Sequence, residues 1–282
     1  MTVGTVARDD FRNAVGSRLV VGVVAVLIAL ISLTFVAESG VYDDPYRTLF
    51  DVTEVVIVLG PILVAPLVYQ CIVGDLASGR IKFTMGLPNG RAEYFAGKLL
   101  SRLCLVLIAV VCGVLLGFVV AAATFTKGPD PGRFAVFAAA TALYLCSFVS
   151  IYLALSALVA SRTTAMVAAV GVYFFLVPFW GNFVPFVNLE TLLTGIGHVL
   201  GTPVSDTTRE AIRNLTPWKA YSGSTAAMYV DVGNHYRRLP SIPPDKMDDM
   251  YRQTGRNVLT LFAWSAAFLL AGFAKFRTAE LR

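Results

Sequence analysis

Six long apolar stretches limit the folds that this 282-residue chain can adopt. A helix that crosses the hydrocarbon core of a bilayer needs roughly 20 mostly apolar residues. The strands of a membrane β-barrel would alternate apolar and polar side chains, whereas these stretches are continuously apolar. The sequence therefore predicts an all-α, polytopic membrane protein, one domain over residues 1–282, with six transmembrane helices at residues 19–37, 52–73, 99–124, 134–160, 164–185 and 257–275.

The composition excludes a water-soluble globule. Hydrophobic residues make up 56% of the chain and charged residues 15%, whereas a soluble domain has about 25% charged residues. The net charge of +5 does not indicate a nucleic-acid partner, because the basic residues lie in the gaps between apolar blocks and form no clustered patch. Membrane lipids are the expected surroundings.

Basic residues in the short connections predict the orientation. With the N-terminus in the cytoplasm, three Lys and Arg residues lie in the short outer loops, Arg47, Lys127 and Arg133. Segments longer than ~60 residues cross largely regardless of charge, so residues 186–256 are left out of the count. We therefore expect a plasma-membrane protein with both termini cytoplasmic, because the inner side then holds twelve basic residues: Arg8, Arg12, Arg18, Arg80, Lys82, Arg91, Lys98, Arg102, Arg162, Lys275, Arg277 and Arg282.

Two segments outside the spans, residues 3–18 and 186–256, have sequence patterns that predict their location. In residues 3–18 apolar side chains follow one helical face and charged ones the other, which predicts a helix lying on the cytoplasmic leaflet. Residues 186–256 form an extracytoplasmic cap, since their apolar run 189–200 is too short to cross. Pro178 and Pro185 are expected to break the fifth span near its outer end.

The chain shows no sign of catalytic, cofactor or metal-binding residues. The spans lack paired carboxylates, and the two histidines, His198 and His235, are far apart in the outer segment. A nucleotide-binding loop is missing, because Gly97-Lys98 is followed by leucine and residue 92 is alanine where the first glycine is needed. We interpret the cysteines as packing residues, since all four lie within predicted spans: Cys71, Cys104, Cys112 and Cys146.

The inner loop at residues 74–98 is the most informative part of the sequence. It is too polar for the bilayer, and Gly86-Leu-Pro88 breaks the chain. Asn89 is placed to cap a short following helix. That helix would present a mixed aromatic and basic surface beside the membrane, which suits a lipid surface and a protein partner equally well. Its members are Arg91, Glu93, Tyr94, Phe95 and Lys98.

This loop resembles the permease subunits of ABC-2 type ATP-binding-cassette transporters, in which it forms the coupling helix that contacts the ATPase. Pro88, Asn89, Arg91, Gly97 and Lys98 match the motif directly, and Asp75, Ser78 and Gly79 match in part. Weaker likenesses lie at Ala7-Arg8, Leu215-Thr-Pro217, Ala220-Tyr221 and Phe276-Arg. The chain is similar to prokaryotic permeases of nitrous-oxide-reductase maturation, copper export and drug export, which these motifs do not separate.

The resemblance implies a transport subunit without its own ATPase site. It implies a homodimer that works with a separate ATPase, which binds ATP and Mg²⁺, in an exporter that alternates between inward and outward states. A Gly113-x-x-x-Gly117 pair could form a dimer face or serve ordinary helix packing. The residues implied in ATPase coupling are Asp75, Pro88, Asn89, Arg91, Tyr94, Phe95 and Lys98.

Two other classes of function stay open at this point. The chain could be a membrane scaffold that transmits ATPase force to an extracytoplasmic partner through residues 186–256 without moving a solute. It could also be an intramembrane enzyme, which the lack of a polar centre disfavours.

Overall fold

The computed structural model describes residues 2–81, 90–229, 232 and 247–278, and in these ranges the elements are helices joined by loops, with no β-strand. A π-helical turn, Phe175–Phe179, and a 3₁₀ turn, Ala226–Met228, complete the elements. We number the helices in chain order: α1 Val3–Val15, α2 Arg18–Glu38, α3 Pro45–Val68, α4 Val73–Ala77, α5 Arg91–Thr124, α6 Pro131–Leu158, α7 Arg162–Phe174, α8 Leu189–Leu200, α9 Asp206–Asn214, α10 Pro217–Thr225 and α11 Met247–Thr278.

The prediction of six membrane spans is confirmed. Helix α8 has 12 residues and is too short to cross. Six helical segments are long and apolar enough to span a bilayer: Arg18–Glu38, Pro45–Ala77, Arg91–Thr124, Pro131–Leu158, Arg162–Phe179 and Arg252–Thr278.

Glycines determine how closely the long helices approach one another. A Cβ atom at Gly113 would lie 3.1 Å from Cβ of Ile31, and one at Gly117 would lie 2.6 Å from the ring of Phe35. The Gly113-x-x-x-Gly117 pair therefore packs α5 against α2 within the chain and is not available as a dimer face. Gly272 likewise allows α11 to pack closely against α6, since a Cβ atom at this position would lie 2.7 Å from Cα of Ala154.

The fifth span ends where the prolines were expected to break it. Helix α7 stops at Phe174 and passes into the π-helical turn that contains Pro178. Proline cannot donate a backbone hydrogen bond, which explains why the regular α-helical ladder ends here. The chain then leads to α8, which begins at Leu189 because the Asn188 side chain accepts a hydrogen bond from the N–H of Thr191, 2.9 Å away.

The segment between the fifth and sixth spans packs onto the bundle through α10. The ring of Tyr221 stacks on that of Tyr144 in α6, with centroids 4.5 Å apart. The Tyr221 hydroxyl forms a 2.8 Å hydrogen bond with that of Thr141. Burial raises the pKa of the Tyr229 phenol, just beyond α10, to about 12, so this hydroxyl stays protonated and forms a hydrogen bond with Thr225. The segment is thus tied to the bundle by buried aromatic residues.

Candidate functional site

The described candidate residues gather at the end of the bundle where α2 begins and α3 finishes. Asp75 lies on α4, and Arg91, Tyr94, Phe95 and Lys98 lie on the first turns of α5. Pro88 and Asn89 fall outside the described residues. We expected residues 91–98 to form a separate short helix, but they continue without a break into the third span, because no proline or other helix-breaking residue separates them from it.

Asp75 is bonded to two of the predicted residues at once. Its Oδ2 accepts a hydrogen bond from the Tyr94 hydroxyl at 2.7 Å and lies 2.6 Å from the Lys98 ammonium. Arg80 lies farther away, with 3.8 Å between its Nη1 and Oδ1 of Asp75. The spacing along α5 allows this, since Tyr94 and Lys98 are four residues apart and share one helix face.

Lys98 extends the cluster to the N-terminal helix. Its ammonium lies 2.6 Å from Oδ1 of Asp10 on α1, and Arg102 lies 3.0 Å from the other oxygen of that carboxylate. Arg102 also donates from Nε to the Cys71 sulfur, 3.3 Å away. Helix α1 can lie this close because α5 has Gly97 there, whose Cβ would be 2.6 Å from Cβ of Val6.

Asp10 was absent from the residues that the sequence singled out, although a signal for it existed. Asp10 lies three residues after Ala7 and four before Ala14, so it falls on the apolar face of the predicted interfacial helix. A carboxylate on a face that is otherwise buried requires a cationic partner. Arg102 contributes to the sequence analysis only as one of the twelve basic residues of the inner side.

The other face of these first turns of α5 is covered by α11. Tyr94 stacks on Phe276 with 5.8 Å between ring centroids, and Phe95 lies 5.6 Å from Phe273. Arg91 donates from Nη1 to the carbonyl oxygens of Phe276 and Arg277, at 2.9 and 2.6 Å. Carbonyls in the last turn of a helix lack partners within the helix, so Arg91 caps the end of α11.

The structure therefore places most of the candidate residues inside the chain. Tyr94, Phe95 and Lys98 are buried, and Asp75 and Arg91 keep partial exposure. Their contacts connect α1, α4, α5 and α11. The arrangement suits the transmission of movement between helices, and among the described residues no group of His, Cys, Asp and Glu could hold a metal ion.

The cluster is electrostatically balanced. Asp10 and Asp75 carry two negative charges, and Lys98 and Arg102 carry two positive ones. Asp10, Lys98 and Arg102 are each more than nine-tenths buried. Buried charges of this kind are costly when one partner is lost, and well-paired sets fix the relative positions of the elements that carry them. The cluster therefore defines how α1 and α4 sit on α5.

Comparison with known proteins identifies the class to which this fold and cluster belong. A family model described as "ABC-2 family transporter protein" matches residues 4–281, so the chain belongs to the ABC-2 transporter family. With its six apolar helices, it is a multi-pass membrane subunit of an ATP-binding-cassette transporter. The chain is also similar to the "Probable ABC transporter permease protein NosY" of Pseudomonas aeruginosa, 27% identical over 189 residues, which are 62% of this chain and 66% of that protein.

Proposed function

We propose that two copies of this chain form the membrane part of an exporter in the plasma membrane, driven by a separate ATPase that binds ATP and Mg²⁺. The observation that carries the proposal is the buried charge cluster of Asp10, Asp75, Lys98 and Arg102, which lies at the base of the loop between α4 and α5. Family membership supports the assignment to an ATP-driven transporter. The ATPase contacts the cytoplasmic loop, residues 74–98, and supplies the energy that the membrane chain lacks.

The cluster explains how a push on this loop would reach the spans. Asp75 lies where the chain leaves the second span, and Lys98 lies where the chain joins the third. Since their side chains are 2.6 Å apart, displacement of the loop moves both spans together and carries α1 with them through Asp10. A switch from 1:99 to 99:1 between two states requires about 5.5 kcal/mol of differential binding, which the docked ATPase provides.

The distribution of charge supports a cytoplasmic location for the loop and both termini. The end of the bundle that carries the cluster also carries Arg12, Arg18, Arg162 and Lys275, on α1, α2, α7 and α11. An excess of Lys and Arg in short connections marks the cytoplasmic side. The α8 to α10 segment then lies outside, where it is placed to receive an extracytoplasmic partner.

The coupling residues divide into two groups with separate roles. Pro88, Asn89 and Arg91 lie at the loop end of α5 and are proposed to contact the ATPase or to position that contact. Asp75, Tyr94, Phe95 and Lys98 transmit the movement, since the side chains of the last three are buried against other helices of the chain.

Co-purification and ATP hydrolysis of the reconstituted complex test this division. The Asn89→Ala/Arg91→Ala variant is expected to lose the ATPase on purification. Tyr94→Phe removes the hydrogen bond to Asp75 but keeps the ring against Phe276, so the ATPase should stay bound while hydrolysis no longer drives transport. Lys127→Ala, at the other end of the bundle, is the control. Wild-type coupling and co-purification in both test variants would contradict the assigned roles.

A transport assay on the same complex separates an exporter from a force-transmitting scaffold. Solute movement from the ATPase side to the opposite side of proteoliposomes is expected for the exporter. ATP hydrolysis that depends on the intact loop, without movement of any solute and with a bound extracytoplasmic protein, would instead favour the scaffold.

A further inference from the structure

A cavity of about 560 Å³ lies beside the charge cluster, between α1, the end of α3, α4 and the start of α5. Its volume falls within the range of about 300–1,000 Å³ that is typical of small-molecule sites. The four residues of the charge cluster belong to the lining of this cavity. The transport proposal does not require a ligand in the cavity. Its lining shows which chemistry it would accept.

The cavity has both apolar and charged lining residues. Leu19 of α2 and Pro66 of α3 line it on the spanning helices, and both are exposed on the surface of the chain. Because these helices cross the membrane, an opening between them faces lipid. Asp10, Lys98 and Arg102 also line the cavity, and these three side chains are buried and charged. A ligand that fills this space needs an apolar part toward the bilayer and a polar part inside.

The charges that line the cavity sum to zero. The negative side chains are Asp9, Asp10 and Asp75, and the positive ones are Arg80, Lys98 and Arg102. Lys98 and Arg102 are already paired with Asp10 and Asp75. A polar group of balanced charge therefore enters at lower cost than an anion, which would meet no excess of positive charge.

Asp9 is the side chain that is available for a cation. It lines the cavity, is exposed, and makes no hydrogen bond or ion pair with any residue that the structure describes. Asn13, one helical turn further on, and Gln70, two residues after the end of α3, add amide groups to the lining. Carboxylate and amide oxygens together suit a primary ammonium, which donates three hydrogen bonds.

We propose that this cavity binds the headgroup of a zwitterionic phospholipid with a primary ammonium, phosphatidylethanolamine. The ammonium lies at Asp9, and the acyl chains leave between Leu19 and Pro66. The phosphate lies on the Arg80 side, where 69% of the Arg80 side chain is accessible. Phosphatidylcholine is a weaker ligand because its quaternary ammonium has no hydrogen to donate, and phosphatidylglycerol is weaker because it has no cation.

Native mass spectrometry of the full chain in detergent tests this site. The chain is mixed with equal amounts of phosphatidylethanolamine, phosphatidylcholine and phosphatidylglycerol that carry the same acyl chains. The wild type is expected to retain phosphatidylethanolamine in preference. Asp9→Asn should lower that retention about tenfold, the size of one lost charge-assisted hydrogen bond. Glu210→Gln, which changes an exposed carboxylate on α9, is the matched control and should behave as the wild type.

A charge reversal tests the role of the Asp9 carboxylate, and a soluble competitor tests whether the acyl chains are needed for binding. Asp9→Lys makes the cavity positive and should shift the preference to phosphatidylglycerol. Glycerophosphoethanolamine, which has the headgroup without acyl chains, should not displace the lipid at equal concentration. Equal retention of the three lipids by the wild type, an Asp9→Asn variant that matches Glu210→Gln, or displacement by the soluble headgroup would each overturn the proposal.

Discussion

The Tyr144 hydroxyl on α6 donates a hydrogen bond to the backbone carbonyl of Ile57 on α3, at 3.0 Å. In a regular helix this carbonyl accepts from the N–H four residues later, but residue 61 is proline and has no N–H. Tyr144 therefore satisfies a buried carbonyl that the proline leaves open. Tyr173 makes a similar bond to Val58, at 2.9 Å, but the N–H of Ile62 is also available to that carbonyl.

We predict that Tyr144→Phe lowers the free energy of unfolding by about 1–3 kcal/mol, because it leaves a buried carbonyl without a donor. Thermal unfolding in detergent measures the change. Tyr173→Phe is the matched control and should lower the free energy of unfolding by less. Adding Pro61→Ala to Tyr144→Phe returns an N–H to the Ile57 carbonyl and should restore part of the loss, whereas equal effects of the two tyrosine variants without rescue would refute the assignment.

Removal of the Lys98 charge should release α1 from the bundle. Lys98→Met leaves the buried Asp10 and the partly buried Asp75 without their shared cation, a loss of about 3–5 kcal/mol by analogy with other broken buried pairs. We expect faster hydrogen exchange in Val3–Val15, measured by mass spectrometry. Lys98→Arg, which keeps the charge, should retain most of the protection.

Lys127→Met provides the comparison for that experiment. Lys127 pairs with Asp44 at 2.7 Å, but 64% of its side chain is exposed. Water and salt screen the exposed ammonium of Lys127, and the buried Asp44 keeps the hydrogen bond from the N–H of Tyr46 when Lys127 is changed. Protection of α1 that survives Lys98→Met as well as it survives Lys127→Met would show that the charge cluster does not hold α1 in place.

The membrane spans could be predicted from sequence because length and apolar character alone determine whether a helix crosses a bilayer. The charge cluster could be predicted only in part. Tyr94 and Lys98 were found through the loop motif, but their partner Asp10 lies 88 residues before Lys98. A pairing between residues so far apart in sequence depends on how α1 packs on α5, and no local sequence pattern predicts it.

The same limit applies to the glycine pair of α5. Spacing showed that another helix could approach at Gly113 and Gly117, but not which helix would do so. The structure assigns this surface to Ile31 and Phe35 of α2. Close contact between helices depends on the fit of whole surfaces, whereas the motif describes one surface alone.

Gly117→Ala should destabilise the α2–α5 contact. The added Cβ would lie 2.6 Å from the Phe35 ring, and overpacking of this kind costs about 1–3 kcal/mol. Gly22→Ala, where a Cβ meets open space, is the control and should be neutral or slightly stabilising. Thermal unfolding in detergent measures both, and Phe35→Leu should partly rescue Gly117→Ala. If Gly117→Ala instead changed only the oligomeric state, the pair would belong to a contact between copies.

Glu190 should hold α9 against α8 in a pH-dependent way. Its carboxylate accepts hydrogen bonds from Arg209, at 2.7 Å, and from Arg213. Burial acts to raise the pKa of Glu190, but these two guanidinium groups outweigh it, so the pKa lies below the ordinary glutamate value. Because the folded-state pKa is lowered, the contact stabilises the protein fully above a pH of about 4.3 and is lost as pH falls through the folded-state value.

Hydrogen exchange of Asp206–Asn214 in the wild type and in Glu190→Gln measures this effect. At pH 7 the variant should exchange faster, because a neutral amide accepts more weakly from the two arginines. The difference between the two proteins should shrink as the pH is lowered below 4.3, since protonation of Glu190 makes the wild type resemble the variant. Glu210→Gln, on the same helix, should match the wild type throughout. A variant that exchanges as slowly as the wild type at pH 7 would show that the charge of Glu190 does not secure α9.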